Sequence, residues 1–444
     1  MNIKSADLLV SNGIVLTMDS IDTQIKNGAV AIKGEKIVAV GEVDEFLSWD
    51  ISQTIDACEG IIMPGLVNTH THLPMSLFKG LADDLPLQVW LDEHIFPAEE
   101  KYITPESVRI GTRLSCAEML LSGTTTCCDG YFFEDEIAEA VKACGMRSVL
   151  GQGVIDFPAP GMPDPKNNIS SAIAFMDKWQ AAVPTINPSI FCHSPNTCST
   201  QTLQKAKAAA NDRTLLFQIH AAETKNEWNQ VWSQHRASPI EYLDQIGVLD
   251  QNTLLVHTVW VDDDDIDIIA KRRAKVSHNP ESNMKLASGI APVPDLLKAD
   301  ITIGIGTDGC ASNNNLDLFS EMDITAKLHK VNTLDPTVMD ARTVIQMATT
   351  GGAAAIGLDR QIGSLEPGKE ADLIVINTKN PRLAPLYNPI SQVVYAALGS
   401  DVRDVIVAGR MVVRNHKLLT IDLEDLFERV GSIGDIIKRE LMKK

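Results

Sequence analysis

The chain has no C-x-x-C pair and no framework spacing among its 8 cysteines. That argues against a disulfide scaffold and leaves Cys58, Cys116, Cys127, Cys128, Cys144, Cys192, Cys198 and Cys310 expected as reduced core thiols of a cytoplasmic protein. No stretch approaches the roughly 20 apolar residues of a membrane span. The opening Met1-Asn2-Ile3-Lys4-Ser5-Ala6-Asp7 lacks the apolar run of a signal peptide. Positive charge is scarce, with 39 Lys and Arg against 58 Asp and Glu and a formal net charge of −19. Nucleic acid and anionic membrane surfaces reward clustered cations, so neither is expected as a partner. A small neutral or zwitterionic substrate fits better. Internal repeats and low-complexity tracts are also missing.

The residues present describe a globular protein: 44% are hydrophobic and 22% charged over 444 positions. A barrel of about 250 residues plus a smaller unit accounts for that length. Eight segments read as strand cores, near 61-72, 123-129, 146-152, 188-193, 214-220, 252-257, 274-278 and 301-308. They close on His70 and His72, Asp129, Gln152, His193, His220, His257, His278 and Asp308. Helix-like stretches separate most of them, which is the alternation of a (β/α)8 TIM-like barrel. The C-terminal strand ends of such a barrel share one face, so these side chains converge on one cavity.

The first sixty residues differ in texture. Short β-rich runs are broken by Asn12-Gly13 and Lys33-Gly34-Glu35, which read as hairpin turns of an antiparallel sheet. The same texture returns at Ala371 to Ile376 and at Val402 to Val413, with Ala408-Gly409-Arg410 as a turn. Residues 1-60 and 366-444 are therefore expected to form a composite β-sandwich beside a barrel of residues 61-365. Leu423 to Lys444 reads as a terminal helix.

The strongest local signal is Pro64-Gly65-Leu66-Val67-Asn68-Thr69-His70-Thr71-His72. Strand residues two apart point the same way, so His70 and His72 present two imidazoles to one point. His220 ends Leu215 to Ile219, and Asp308 ends Ile301 to Thr307; both can close the coordination sphere. Three imidazoles and a carboxylate suit zinc, with bonds of about 2.0–2.2 Å; iron and manganese are the alternatives. Taken alone, Asp308 reads as a helix N-cap before Gly309.

With these motifs stand Asp83-Asp84-Leu85-Pro86-Leu87 with Trp90-Leu91, His193-Ser194-Pro195, His220-Ala221-Ala222-Glu223, His278-Asn279-Pro280-Glu281-Ser282-Asn283, and Gly306-Thr307-Asp308-Gly309 with Ser312-Asn313-Asn314. Together they resemble the amidohydrolase superfamily, and within it the 5′-methylthioadenosine/S-adenosylhomocysteine deaminase family, over essentially the whole chain. Chlorotriazine hydrolases and guanine-type deaminases share several of these motifs. The resemblance implies one zinc per subunit on His70, His72, His220 and Asp308, a nucleoside substrate and a homo-oligomer.

Glu223 lies three residues beyond His220, where an unligated carboxyl can shuttle protons to a purine ring and to the departing nitrogen. Its bland reading is a solvated residue of a helix start. His257, at the end of the next strand, is placed with Asp308 to orient the attacking water and take its proton. His278 reads as acting through other side chains. The expected reaction is hydrolytic deamination at C6 of adenosine-type nucleosides, with ammonia released. The alternatives are a deaminase or chlorohydrolase acting on guanine, a pterin or an s-triazine and, more remotely, a non-catalytic assembly protein.

The long insertion from Pro74 to Tyr102 is a candidate lid or binding element. In the family reading Glu99 meets the ribose hydroxyls, with Glu100 as its rival in register, and His193 contacts the nucleoside together with Glu223 and Asp308. Trp90 either walls the apolar side of the substrate or sits in the core. Members that handle S-adenosylhomocysteine well tend to carry an arginine near the end of the third strand, where this chain has Gln152. A preference for 5′-methylthioadenosine or adenosine follows. Asp262 to Asp265 reads as a solvated helix start, and Thr350-Gly351-Gly352-Ala353 as close helix packing. Asp129 is given no catalytic role.

Overall fold

A computed structural model describes residues 4–441; Met1 to Ile3 and the last three residues, with the closing lysines, lie outside it. Strands β1 (Ser5–Leu16), β2 (Gln24–Lys33), β3 (Lys36–Glu42), β4 (Asp50–Asp56) and β5 (Ile61–Pro64) open the chain. Eight barrel strands follow: β6 (Leu66–Thr71), β7 (Thr124–Tyr131), β8 (Arg147–Val154), β9 (Ile186–Cys192), β10 (Phe217–Ala221), β11 (Thr253–His257), β12 (Lys275–His278) and β13 (Ile303–Ile305). The chain returns through β14 (Leu373–Ile376), β15 (Val402–Val407), β16 (Arg410–Arg414) and β17 (Lys417–Leu418), and ends in the helix Leu423–Leu441.

Strands β6 to β13 form one parallel eight-stranded sheet in sequence order. Its two ends meet where the backbone N–H groups of Thr307 and Asp308 donate to the His70 carbonyl at 3.1 and 3.0 Å. The Asn68 amide adds a bond to Thr307 Oγ1 at 2.8 Å. This is the (β/α)8 barrel, and its closing seam lies beside the first metal-ligand candidate. Gly351 and Gly352 lie against this seam: a Cβ on Gly352 would sit 3.1 Å from the Val67 side chain, and one on Gly351 would sit 2.8 Å from the Ile303 carbonyl. Close helix packing is what that glycine pair provides.

The terminal segments build one nine-stranded sheet, mixed rather than antiparallel, because β4 and β5 both run parallel to β1. Asn12-Gly13 is not a hairpin turn. Strand β1 continues through it, with Asn12 at φ +60 and a register shift between Val10 and Gly13. The bulge lies where β1 exchanges its partner β4 for β5, a change of neighbour that needs a local bend. Lys33-Gly34-Glu35 and Ala408-Gly409-Arg410 do turn between paired strands.

The strand expected to run unbroken over 61-72 divides at Gly65. Ile61–Pro64 pairs with β1 and β14 in the terminal sheet, and the barrel strand begins at Leu66. A Cβ on Gly65 would fall 2.1 Å from Thr125 Oγ1, so the chain can cross between the sheets there only without a side chain. A second tie is the buried Arg147 at the start of β8. Its Nε and Nη2 donate to Asp372 Oδ2 and Oδ1 at 2.7 and 3.0 Å, and the Ala408 N–H donates to Asp372 Oδ1 at 2.7 Å. All 8 cysteines are free, and Cys58 is exposed rather than a core thiol. Among the described residues no helix is long and apolar enough to cross a membrane.

Candidate active site

At the C-terminal mouth of the barrel, His70 lies near the end of β6 with His72 just past it, His220 lies near the end of β10 and Asp308 follows β13. One ligand atom from each lies within 4.8 Å of the others. His70 Nε2 and His220 Nε2 are 3.2 Å apart, and Asp308 Oδ1 is 3.4 Å from His70 Nε2 and 3.3 Å from His72 Nε2. His72 Nδ1 lies 2.7 Å from the Gly130 carbonyl. A carbonyl only accepts, so His72 carries its proton on Nδ1 and turns the Nε2 lone pair to the centre. Asp308 Oδ2 accepts from Ser282 Oγ at 2.6 Å and Ser312 Oγ at 3.0 Å, and Oδ1 accepts from the Gly309 N–H at 2.7 Å.

Protonation agrees with this geometry. Burial lowers His72, holds His70 down to about 4 and holds His220 well below the usual imidazole range. Burial pushes the Asp308 carboxyl up, but His70 and the other imidazoles around it hold it well below the usual carboxylate range. Neutral imidazoles and an ionised carboxylate are the forms that bind metal. Lone pairs crowded this closely repel unless a cation lies among them, and the three-nitrogen, one-oxygen set suits zinc.

Glu223 lies just past the end of β10, on the cavity wall. Its Oε2 is 3.8 Å from His257 Nε2, and Oε1 accepts from Ser288 Oγ at 3.3 Å. Burial raises its pKa, which suits an acid that must hold a proton near neutrality. Its position is set by a residue the sequence reading missed. Glu227 accepts the backbone N–H groups of Ala222 at 2.9 Å and of Glu223 at 2.8 Å, clamping a turn in which Ala222 sits at φ +56. His257 Nδ1 pairs with Asn283 Oδ1 at 2.9 Å, which aims Nε2 inward. His257 and Asp308 also stand at left-handed φ, +77 and +61, conformations that cost of order 1–3 kcal/mol each and persist when the surroundings enforce them.

A cavity of about 790 Å3 opens above the cluster, lined by His72, Glu99, His193, His220, Glu223, His257 and Asp308 and by a largely apolar wall that includes Trp90, Phe96, Phe132 and Phe157. Residues Leu87 to Tyr102 run as a helix with a π turn over Trp90–Ile95. Pro97 has no N–H for the Glu93 carbonyl, and a widened turn accommodates the gap. Trp90 combines the two expected roles: it is buried in the core and faces the cavity, while its indole N–H donates to the Ala82 carbonyl at 3.0 Å.

Glu99 and Glu100 both line the cavity but differ in burial. Glu99 is buried and takes a hydrogen bond from the Tyr131 hydroxyl, whereas Glu100 is exposed at the edge. Burial pushes Glu99 up to about 7 and His193 down to about 4; His193 Nδ1 pairs with Thr197 Oγ1 at 2.9 Å. Gln152 departs from expectation. It does not line the cavity, and its Oε1 takes the Glu134 N–H at 3.4 Å. His278 lies away from the cavity wall, with its Nε2 3.2 Å from His329 Nε2. Asp262 caps the helix Asp263–Arg272 as the sequence suggests, although Asp265 is buried against Ser238.

The amidohydrolase family model matches residues 61–412. The chain is 47% identical over 439 residues to a 5-methylthioadenosine/S-adenosylhomocysteine deaminase of Syntrophobacter fumaroxidans, covering 99% of this chain and 100% of the relative. It is 45% identical over 426 residues to a 5′-deoxyadenosine deaminase of Methanosarcina barkeri, covering 95% and 96%. Among solved structures, a zinc-containing adenosine deaminase from Xanthomonas campestris superposes with a TM-score of 0.96 at 36% identity, covering 98% of this chain and 100% of that one. The chain belongs to the amidohydrolase family and is a metal-dependent hydrolase.

Proposed function

We propose that this protein hydrolytically removes the 6-amino group of adenosine-type nucleosides, with 5′-methylthioadenosine, 5′-deoxyadenosine and adenosine as its substrate group. The carrying observation is a protonatable carboxyl, Glu223, held by a hydrogen bond from Ser288 and close to His257, beside a His-His-His-Asp cluster at the floor of an apolar cavity. The names of the Syntrophobacter and Methanosarcina relatives point to the same chemistry. Zinc held by His70, His72, His220 and Asp308 supplies the Lewis acidity that lets water act as a nucleophile at neutral pH. Glu223 gives a proton to N1 as water adds at C6, and then moves one to the amino nitrogen as ammonia leaves. His257 and Asp308 orient the water and accept its proton. Glu99 accepts hydrogen bonds from the ribose diol, and His193 contacts the nucleoside. The resemblance also carries a homo-oligomer with it, open to sedimentation, and the reduced cysteines point to a cytoplasmic location, open to fractionation.

The 5′ end of the substrate is chosen by what the wall lacks. None of the residues lining the cavity is a lysine or arginine. The amino-acid carboxylate of S-adenosylhomocysteine would forgo a charge-assisted contact of roughly 1.5–3 kcal/mol, about 10–150-fold in kcat/KM. The test is an ultraviolet assay of zinc-loaded protein against 5′-methylthioadenosine, 5′-deoxyadenosine, adenosine, S-adenosylhomocysteine and guanine, with ammonia measured in parallel. Turnover of the first three above S-adenosylhomocysteine is expected. Equal efficiency on all four adenosines refutes the 5′ preference, and silence on them with zinc bound moves the substrate to another heterocycle. A Glu223→Gln variant that binds zinc and keeps near-normal turnover refutes the role of Glu223.

A further inference from the structure

Behind the cavity wall, two carboxyl side chains are wholly buried, Asp129 on β7 and Glu134 at the start of the helix Glu134–Cys144. One oxygen of each is accounted for: Asp129 Oδ1 accepts the Leu73 N–H at 2.6 Å, and Glu134 Oε1 accepts the Tyr131 N–H at 2.9 Å. The other two, Asp129 Oδ2 and Glu134 Oε2, are buried with no donor among the described residues, and the two side chains lie near enough for each to act on the other's ionisation. Two bare carboxylates so placed would repel with no water to screen them. No lysine, arginine or histidine forms an ion pair with either one among the described residues.

We infer that Asp129 and Glu134 share one proton, and that this carboxyl pair positions both the metal-ligand arm and the ribose arm of the site. The three-residue segment Asp129-Gly130-Tyr131 carries both arms. The Gly130 carbonyl orients His72 through Nδ1, and the Tyr131 hydroxyl holds Glu99. The segment is pinned from both sides: through Asp129 to the residue after His72, and through Glu134 to the Tyr131 backbone. With the proton on Glu134, its O–H donates to Asp129 Oδ2, and neither side chain leaves a polar atom unmatched. Burial raises both groups, Asp129 to about 7 and Glu134 well above its ordinary value, with the charge of Asp129 adding to the rise in Glu134. Asp129 and Glu134 are positioning residues, since neither lines the cavity.

The proposal separates substitutions that look alike in size. In Glu134→Gln the amide oxygen can keep the Tyr131 N–H while the amide N–H replaces the shared proton. Metal affinity, kcat and KM should stay within about threefold of wild type. In Asp129→Asn the amide can likewise donate to the Glu134 carboxylate, with the same expectation. Glu134→Ala leaves Asp129 alone in the barrel wall and should weaken zinc binding by about 10–100-fold, the usual cost of losing the support behind a ligand. It should also raise KM for 5′-methylthioadenosine as Glu99 loosens.

Zinc affinity is measured by chelator competition, and the shared proton by infrared spectroscopy of the full chain at mildly alkaline pH. The wild-type minus Glu134→Gln difference spectrum should carry a protonated-carboxyl stretch, which separates this pair from other buried acids such as Glu321. The Glu99 part of the argument rests on the deaminase reading; the zinc and infrared measurements do not, so a substrate of another class leaves them intact. The proposal is overturned if the difference spectrum lacks that stretch, if Glu134→Ala holds zinc as tightly as Glu134→Gln, or if both amide variants fold yet lose zinc. Should Glu134→Ala fail to fold, Asp129→Asn and the infrared band decide.

Discussion

Glu227 offers the sharpest separation of catalytic geometry from stability. Its carboxylate takes two backbone N–H groups, those of Ala222 and Glu223, at 2.9 and 2.8 Å, and it contributes no atom to the metal cluster or the cavity wall. Glu227→Ala removes both acceptors. Ala222 is fully buried, so its N–H has no water to turn to, at a cost of about 1–3 kcal/mol. Glu223 is half-buried on the cavity wall, where its N–H can recover a water. In a chain of this length such a loss moves the melting temperature by only about 1–3 °C, whereas the turn, already at left-handed φ in Ala222, is free to relax. A shift of Glu223 by about 1 Å is enough to cost on the order of a hundredfold in kcat. Steady-state kinetics on zinc-loaded protein should show kcat falling with KM little changed and zinc content intact, because His220 is held by β10 itself. Glu227→Gln keeps one good acceptor and should fall between. A folded, metal-replete Glu227→Ala enzyme with kcat within about twofold of wild type would refute the clamp.

Burial moves Glu99 from the ordinary 4.5 up to about 7, and only the carboxylate can accept both ribose hydroxyls. KM should therefore fall as pH rises through about 7, and in Glu99→Gln that dependence should vanish from the KM profile. The same shift works against folding: the folded chain holds this proton where the unfolded chain has released it. Its contribution to stability is full below 4.5 and lost as pH rises through about 7, a direction that denaturation titrations of wild type against Glu99→Gln will show or refute. Arg147→Met strips the buried Asp372 of its partner and should destabilise by about 3–5 kcal/mol in chemical denaturation, while turnover per folded molecule stays unchanged. Chelation should abolish activity and lower the melting temperature, and restored zinc should recover both in proportion to occupancy; activity that survives metal-free would refute the assignment of the cluster.

Much of the site was legible because strand geometry is strict. His70 and His72 share a face by the two-residue period, and His220, His257 and Asp308 come at the ends of apolar runs, where barrel strands release their last side chains into the mouth. The elements misread were those in which one local signal serves two structures. Asn-Gly favours positive φ, which a hairpin turn and a bulge both use, so nothing local distinguishes β1 running through Asn12 from β1 ending there. The apolar run from Ile61 to Val67 carries no mark of a change of sheet except Gly65, whose reason is a threonine sixty positions away. Glu227 looks like an acid in the first turn of a helix, placed there for the helix dipole. Its two backbone bonds depend on a left-handed alanine that no propensity predicts.

Gln152 was misplaced for a related reason. Gln152 lies one residue short of where the chain reaches the cavity, and its side chain turns to the Glu134 backbone N–H instead. The residues of this strand and its extension that reach the cavity are Gly153, Val154 and Ile155. None offers a hydrogen-bonding or charged side chain to the 5′ end of a nucleoside. The proposed preference against a carboxylate tail therefore rests on the whole lining and not on Gln152. One missing arginine could be replaced by a cation from another loop, but a lining without lysine or arginine leaves none in place to do so.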